Sequence, residues 1–232
     1  SRTGAAKYGK QQPLADIDEP IIDLFAAETG ALLAFVYALL EQPLNDIAPI
    51  VPARMEREVE QRILQPFLTG NFGWMGLDLP PGHPINNWNP WCNSNCLTAV
   101  LFRENNHSRR LEAVYKGMRI LDVFLAGYEE DGGCDEGPSY WERAGASLFD
   151  CLELLRSATA GGVNVYNIPL IQEIGKYITR AHIAGRYFVN YADGSAIVNI
   201  SSQRVYLYGK QVGDEAMMFL GLKAFHESQA RS

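Results

Sequence analysis

Seven stretches of the chain carry apolar residues at alternating spacings of three and four: Ile21 to Leu40, Arg54 to Leu68, Asn93 to Arg103, Ser108 to Tyr128, Tyr140 to Ala158, Ile168 to Val189 and Arg204 to Phe225. That period places the apolar side chains of each stretch on one face of an α-helix. Strand-like alternation is scarce, and Ala196 to Ile200 is its best instance. The pattern predicts an all-α fold whose successive hairpins suit either a bundle or a ring of α-hairpins. Local signals agree. Ser108 is placed to cap a helix, Gly127 and Gly161 fall where helices should stop, and Pro169 suits a first turn.

With 232 residues, 47% of them apolar, the chain can bury one sizeable core. Residues 1–13 are polar and without period, and read as an N-terminal arm; residues 14–232 read as one helical domain. The net charge of −7 and the lack of any Lys/Arg run argue against a nucleic-acid partner. A polyanionic ligand would need a local basic pocket. The longest uninterrupted apolar run, Leu32 to Leu40, is about half of the ~20 residues a membrane span requires, so no membrane partner is expected. Nothing at the start reads as a secretory signal. Of the four cysteines, Cys92 and Cys96 are four apart, on one helix face. A tetrahedral metal site would need a second pair that is missing, so all four read as structural thiols, with no metal and no cofactor.

Two connections are longer than helix packing needs, Thr69 to Trp91 and Glu129 to Ser139. The end of the first, with the residues after it, reads Asn86-Asn87-Trp88-Asn89-Pro90-Trp91-Cys92-Asn93-Ser94-Asn95, five Asn and two Trp in ten positions. Asn both donates and accepts, which suits hydroxyls and carboxylates, and Trp offers a flat face to a sugar ring. The same residues are also ordinary turn formers, helix caps and core aromatics. The second reads Asp131-Gly132-Gly133-Cys134-Asp135-Glu136-Gly137-Pro138-Ser139-Tyr140-Trp141-Glu142-Arg143. Pro138 and Ser139 fit the opening of a helix that projects the Tyr140 hydroxyl toward the loops, and Arg143 shares its face. A phenol beside a cation can donate or take a proton; the plainer reading is an anchored Tyr, with Arg143 paired to Glu136 or Glu142. The four histidines have no ligand spacing, and neither a phosphate loop nor a Gly-x-Ser-x-Gly elbow occurs.

These two strings, with Val189-Asn190-Tyr191-Ala192-Asp193-Gly194-Ser195 and Val205-Tyr206-Leu207-Tyr208-Gly209-Lys210, resemble heparinase II/III-like polysaccharide lyases, from about Phe67 to Phe225. The resemblance implies an incomplete (α/α) toroid of antiparallel helical hairpins, followed in the family by a C-terminal β-sheet domain that carries a further catalytic His. It implies β-elimination on a uronic-acid-containing polysaccharide, heparan-type or alginate-type, and a periplasmic or secreted setting. Asn87 would face the substrate carboxylate, with Asn89 as the other contender, and Tyr140 would transfer the proton. Asn86, Trp88, Asn89, Trp91, Glu136 and Arg143 would bind substrate. Several relatives carry a His where this chain has Trp88. Two other readings stand beside it: an (α/α) glycoside hydrolase using Asp131, Asp135 or Glu136, and a non-catalytic carbohydrate-binding domain.

Overall fold

The computed structural model describes residues 19–230, so the proposed arm at residues 1–13 lies outside the described residues. The described residues are mostly helical, with minimal sheet, which bears out the all-α class. The elements are α1 Leu24–Ile47, α2 Ile50–Val59, a π-turn Glu60–Leu64, α3 Gln65–Thr69, a 3₁₀ turn Gly73–Met75, α4 Trp88–Arg103, α5 His107–Ala126, α6 Pro138–Trp141, α7 Gly145–Ala158, α8 Pro169–Arg180, β1 His182–Ala184, β2 Tyr187–Phe188, α9 Ser202–Val212 and α10 Glu215–Gln229. They divide into two compact units, residues 19–80 with Trp91–Val123, and Pro81–Pro90 with residues 124–230.

In the first unit α1 begins at Asp23, whose carboxylate accepts from the Ala26 N–H at 2.9 Å. Ala27, Gly30, Ala31 and Ala34 form a small-residue face that lets neighbouring segments approach, and that face is buried. The opposite side exposes Phe25, Leu32 and Leu39. By length and composition α1 could cross a membrane, which corrects the sequence estimate. Counting only the uninterrupted run at Leu32 to Leu40 missed a helix that carries its apolar character past Glu28 and through Pro43. Burial pushes the Cys92 and Cys96 thiols up, and both are free, so they pack in the core as neutral apolar groups.

In the second unit α9 and α10 form a tight helical hairpin on α8, and α7 packs against α8 and α9. Its centre is aromatic. Tyr208 stacks on Phe149, with ring centroids 5.0 Å apart, and on Trp141 at 6.3 Å, while its hydroxyl donates to the Ile171 carbonyl at 2.7 Å. Trp141, fully buried, donates its indole N–H to the Ile174 carbonyl at 2.7 Å.

Several boundaries differ from the sequence reading. Arg204 to Phe225 is two helices, because Gly213 adopts φ 70° and Asp214 caps the next helix through the Met217 N–H. The stretch Ile168 to Val189 ends its helix at Arg180 and continues as the β1–β2 hairpin. Tyr140 to Ala158 is split between α6 and α7. Ala196 to Ile200 is no independent strand: it joins the hairpin through the Tyr187–Ile197 bridge and bonds from Phe188 N–H to Ala196 and from Val198 N–H to Arg186. The cap of α5 is Asn106, whose side chain accepts from the Arg109 N–H, and Ser108 lies inside the helix. Pro169 opens α8, and α5 stops just before Gly127, as expected.

Candidate functional site

Much of the Asn-rich string is helix rather than loop, since α4 begins at Trp88. Asn86 makes that start, its side-chain oxygen accepting from the Trp88 N–H at 3.2 Å and its carbonyl from the Asn89 N–H at 3.1 Å. Asn93 donates to the Gly117 carbonyl at 2.9 Å and Asn95 to the Trp91 carbonyl at 2.9 Å. These three residues make the turn and packing bonds that their residue type suits. Asn89 is fully buried, whereas Trp88 is half-buried. Trp91 belongs to the first unit, where its indole N–H donates to Glu28 at 2.8 Å.

Asn87 differs from its neighbours. Its buried amide donates to the Glu136 carboxylate, 49 positions away, and ties the first string to the second within one compact unit.

The second string is a series of tight turns. Gly133 N–H donates to the Asp131 carboxylate at 2.8 Å, Gly137 N–H to the Cys134 carbonyl at 2.9 Å, and Tyr140 N–H to the Gly137 carbonyl at 3.1 Å. Gly137 has φ 92°, and a Cβ there would lie 2.8 Å from the Tyr191 carbonyl oxygen and 3.0 Å from Gly194 Cα. Only glycine meets both demands. Pro138 then opens α6, and Trp141 locks it into the aromatic core. Successive helical side chains point about 100° apart, so burying Trp141 leaves the adjacent Tyr140 half-buried, at the margin of the core.

The third string, at the end of β2, closes on the second. Tyr191 donates its hydroxyl to the Cys134 carbonyl at 2.7 Å, so the 2.6 Å contact with Tyr177 must have Tyr177 as donor. The Ser195 N–H donates to Ser139 Oγ at 3.2 Å, and the Ser201 N–H to Glu142 Oε1 at 2.6 Å. Residues 195–201 therefore form a strap pinned on either side of Tyr140.

Three strings that are distant in sequence thus meet around Glu136 to Glu142. The electrostatics there are unusual. Burial raises the Glu136 pKa, the charges of Asp135 and Asp193 add to the rise, and the bond from Asn87 opposes it. Burial also raises Glu142, against the pull of Ser201, Arg204 and Arg143. Asp150 is pushed up to about 6 by burial, with Arg204 opposing and Glu142 adding; Arg204 bonds Asp150 at 2.7 Å and approaches Glu142 at 3.6 Å. Arg143 is exposed and acts on Glu142.

Asp193, Asp150 and Arg204 were not among the sequence candidates, and Glu142 was named only as a partner for Arg143. Asp193 could have been found, because it sits inside a string already singled out. Nothing in the sequence links Asp150 to Arg204. Among the described residues no group of three or more His, Cys, Asp or Glu side chains is arranged to hold a metal ion. Set against protein-family models and against curated proteins, the chain matches none.

Proposed function

We propose that this chain is the helical, toroid-type part of a polysaccharide lyase resembling the heparinase II/III-like enzymes, and that it holds a uronic-acid-containing polysaccharide for β-elimination. The observation that carries the reading is the bond from Asn87 to Glu136, which brings the Asn-rich string to the loop that presents Tyr140.

In this reading the proton on the carbon beside the uronate carboxylate is removed, a carbon–carbon double bond forms, the bond to the glycosidic oxygen breaks, and that oxygen leaves with a proton. Tyr140 transfers the proton at the reacting carbon or at the leaving oxygen. Asn87 keeps a second N–H on the nitrogen that bonds Glu136, and this N–H is assigned to the substrate carboxylate. A carboxylate arriving beside Glu136 would raise its already raised pKa further. That rise favours the neutral acid of Glu136, the form able to donate a hydrogen bond to the incoming charge. Trp88 offers its half-exposed face to a sugar ring. The family's β-sheet domain would complete the cleft.

A second reading has a specific observation in its favour. Glu136 with its raised pKa, and Asp193 contributed by a separate segment, are two carboxylates of the kind an (α/α) glycoside hydrolase divides into acid and base. The two chemistries differ in product. Incubation of heparan-type, alginate-type and other uronate polymers with the chain, and with its longest natural protein, separates them. Elimination gives products that absorb in the ultraviolet, whereas hydrolysis gives new reducing ends without that absorbance.

A further inference from the structure

The strap that is pinned beside Tyr140 also builds a second feature of the same unit. Its middle residues, Val198 to Ile200, form one wall of a cleft whose other walls are the β1–β2 hairpin and α10. The floor is apolar and buried, made by Phe188, Val198 and Leu220.

The rim is built differently. Arg186 on the hairpin donates to the Asn199 side-chain oxygen at 3.0 Å, which fixes the amide and leaves its two N–H groups as donors. Across the cleft Lys223 lies 4.0 Å from Glu227, the outer limit of an ion pair. Guanidinium, ammonium and amide donors thus face a cleft that holds one carboxylate, in a chain whose net charge is −7. Such a rim suits an anionic acceptor, and the floor suits the C–H face of a ring.

We propose that this cleft is a remote subsite that binds a uronate unit of the same polymer. The inference rests on the reading that the site at Tyr140 takes an acidic saccharide. Ser195, bonded to Ser139, and Asn199 are four residues apart, so the backbone between them spans at most about 14 Å. One short oligosaccharide lying along the strap can reach both places.

The test is calorimetric titration of the full chain with a hexamer of glucuronate, with cellohexaose as its uncharged counterpart and inorganic sulfate as a bare anion. The double variant R186Q/K223Q is expected to weaken hexamer binding about tenfold or more, since it removes two charge-assisted contacts. Glu227→Gln, which removes the opposing carboxylate, is expected to tighten it. Both changes fall on the surface, and an unchanged far-ultraviolet dichroism spectrum and melting temperature confirm folding. The subsite is overturned if the hexamer does not bind the wild type, if the double variant binds it as well as wild type does, if cellohexaose binds equally, or if sulfate at the hexamer's concentration displaces it. Unchanged binding in the double variant with a loss in Asn87→Ala overturns the subsite alone. Weakened binding in the double variant, with no unsaturated product from any acidic polymer, overturns the lyase reading and leaves the subsite standing.

Discussion

On the first unit's surface Glu58 lies between Arg54 and Arg62, and these guanidiniums hold its carboxyl below the usual carboxylate range. In the second unit Glu136, Glu142 and Asp150 are drawn out of water, and burial pushes all three up. Depth, rather than the unit, decides the sign: Glu173, on the surface of the second unit beside Lys176 and Arg180, is lowered like Glu58. Solvent-exposed pairs are cheap to build and contribute little. Carboxylates desolvated next to one another cost stability, and folds keep them mainly where their chemistry is used. Here Glu136 and Glu142 lie where three of the singled-out strings meet, and Asp150 joins Glu142 through Arg204.

The acidic region is disrupted most severely by removing what holds it in place. Trp141→Ala deletes a fully buried indole and leaves the Ile174 carbonyl without its donor, and is expected to cost about 3–5 kcal/mol in urea unfolding. A loss below about 1 kcal/mol would mean that Trp141 does not anchor the Tyr140 helix.

Next in size is Asp150. Its folded pKa of about 6 lies above the unfolded value near 3.8, so the folded state binds the extra proton between those values. The stability this contributes is complete below about pH 4 and is lost as pH rises through 6, about 3 kcal/mol over the window. Glu136 and Glu142 remain in both proteins, so the difference in unfolding free energy between wild type and Asp150→Asn isolates this step. A difference that does not change between pH 4 and 7 would contradict the burial argument.

Smallest is Glu58→Gln, expected to change stability by about 1 kcal/mol or less. Its pH dependence has the opposite sign, because a lowered pKa stabilises the fold above the unfolded value and that stability is lost as pH falls. Urea titrations at pH 7 and pH 3 check both points, and a larger effect at pH 3 than at pH 7 would contradict them.

The helical class was legible because a period of three and four, repeated in seven stretches, leaves little room for a sheet. The breaks were harder to see. Gly213 and Asp214 interrupt a pattern that stays apolar on both sides, so the α9–α10 turn is hidden by its flanks. Asn86 and Asn87 are neighbours of identical chemistry, yet one caps a helix and the other joins two strings. Composition cannot separate such roles, because each depends on a partner that the fold supplies from far along the chain. Tyr140 was legible through the Gly-Pro-Ser opening before it. Arg204 between Asp150 and Glu142 was not, because a half-buried ionic cluster leaves no periodic trace.

The proposed chemistry is elimination of a uronate polymer through Tyr140. Its most direct test is the rate of ultraviolet absorbance gain when the longest natural protein containing the chain meets the acidic polysaccharide it cleaves best, compared between wild type and Tyr140→Phe. The expected result is steady absorbance gain for wild type and a loss of about 10²-fold or more in the variant, which stays folded. Equal rates in the two proteins, or new reducing ends without absorbance, would contradict the account.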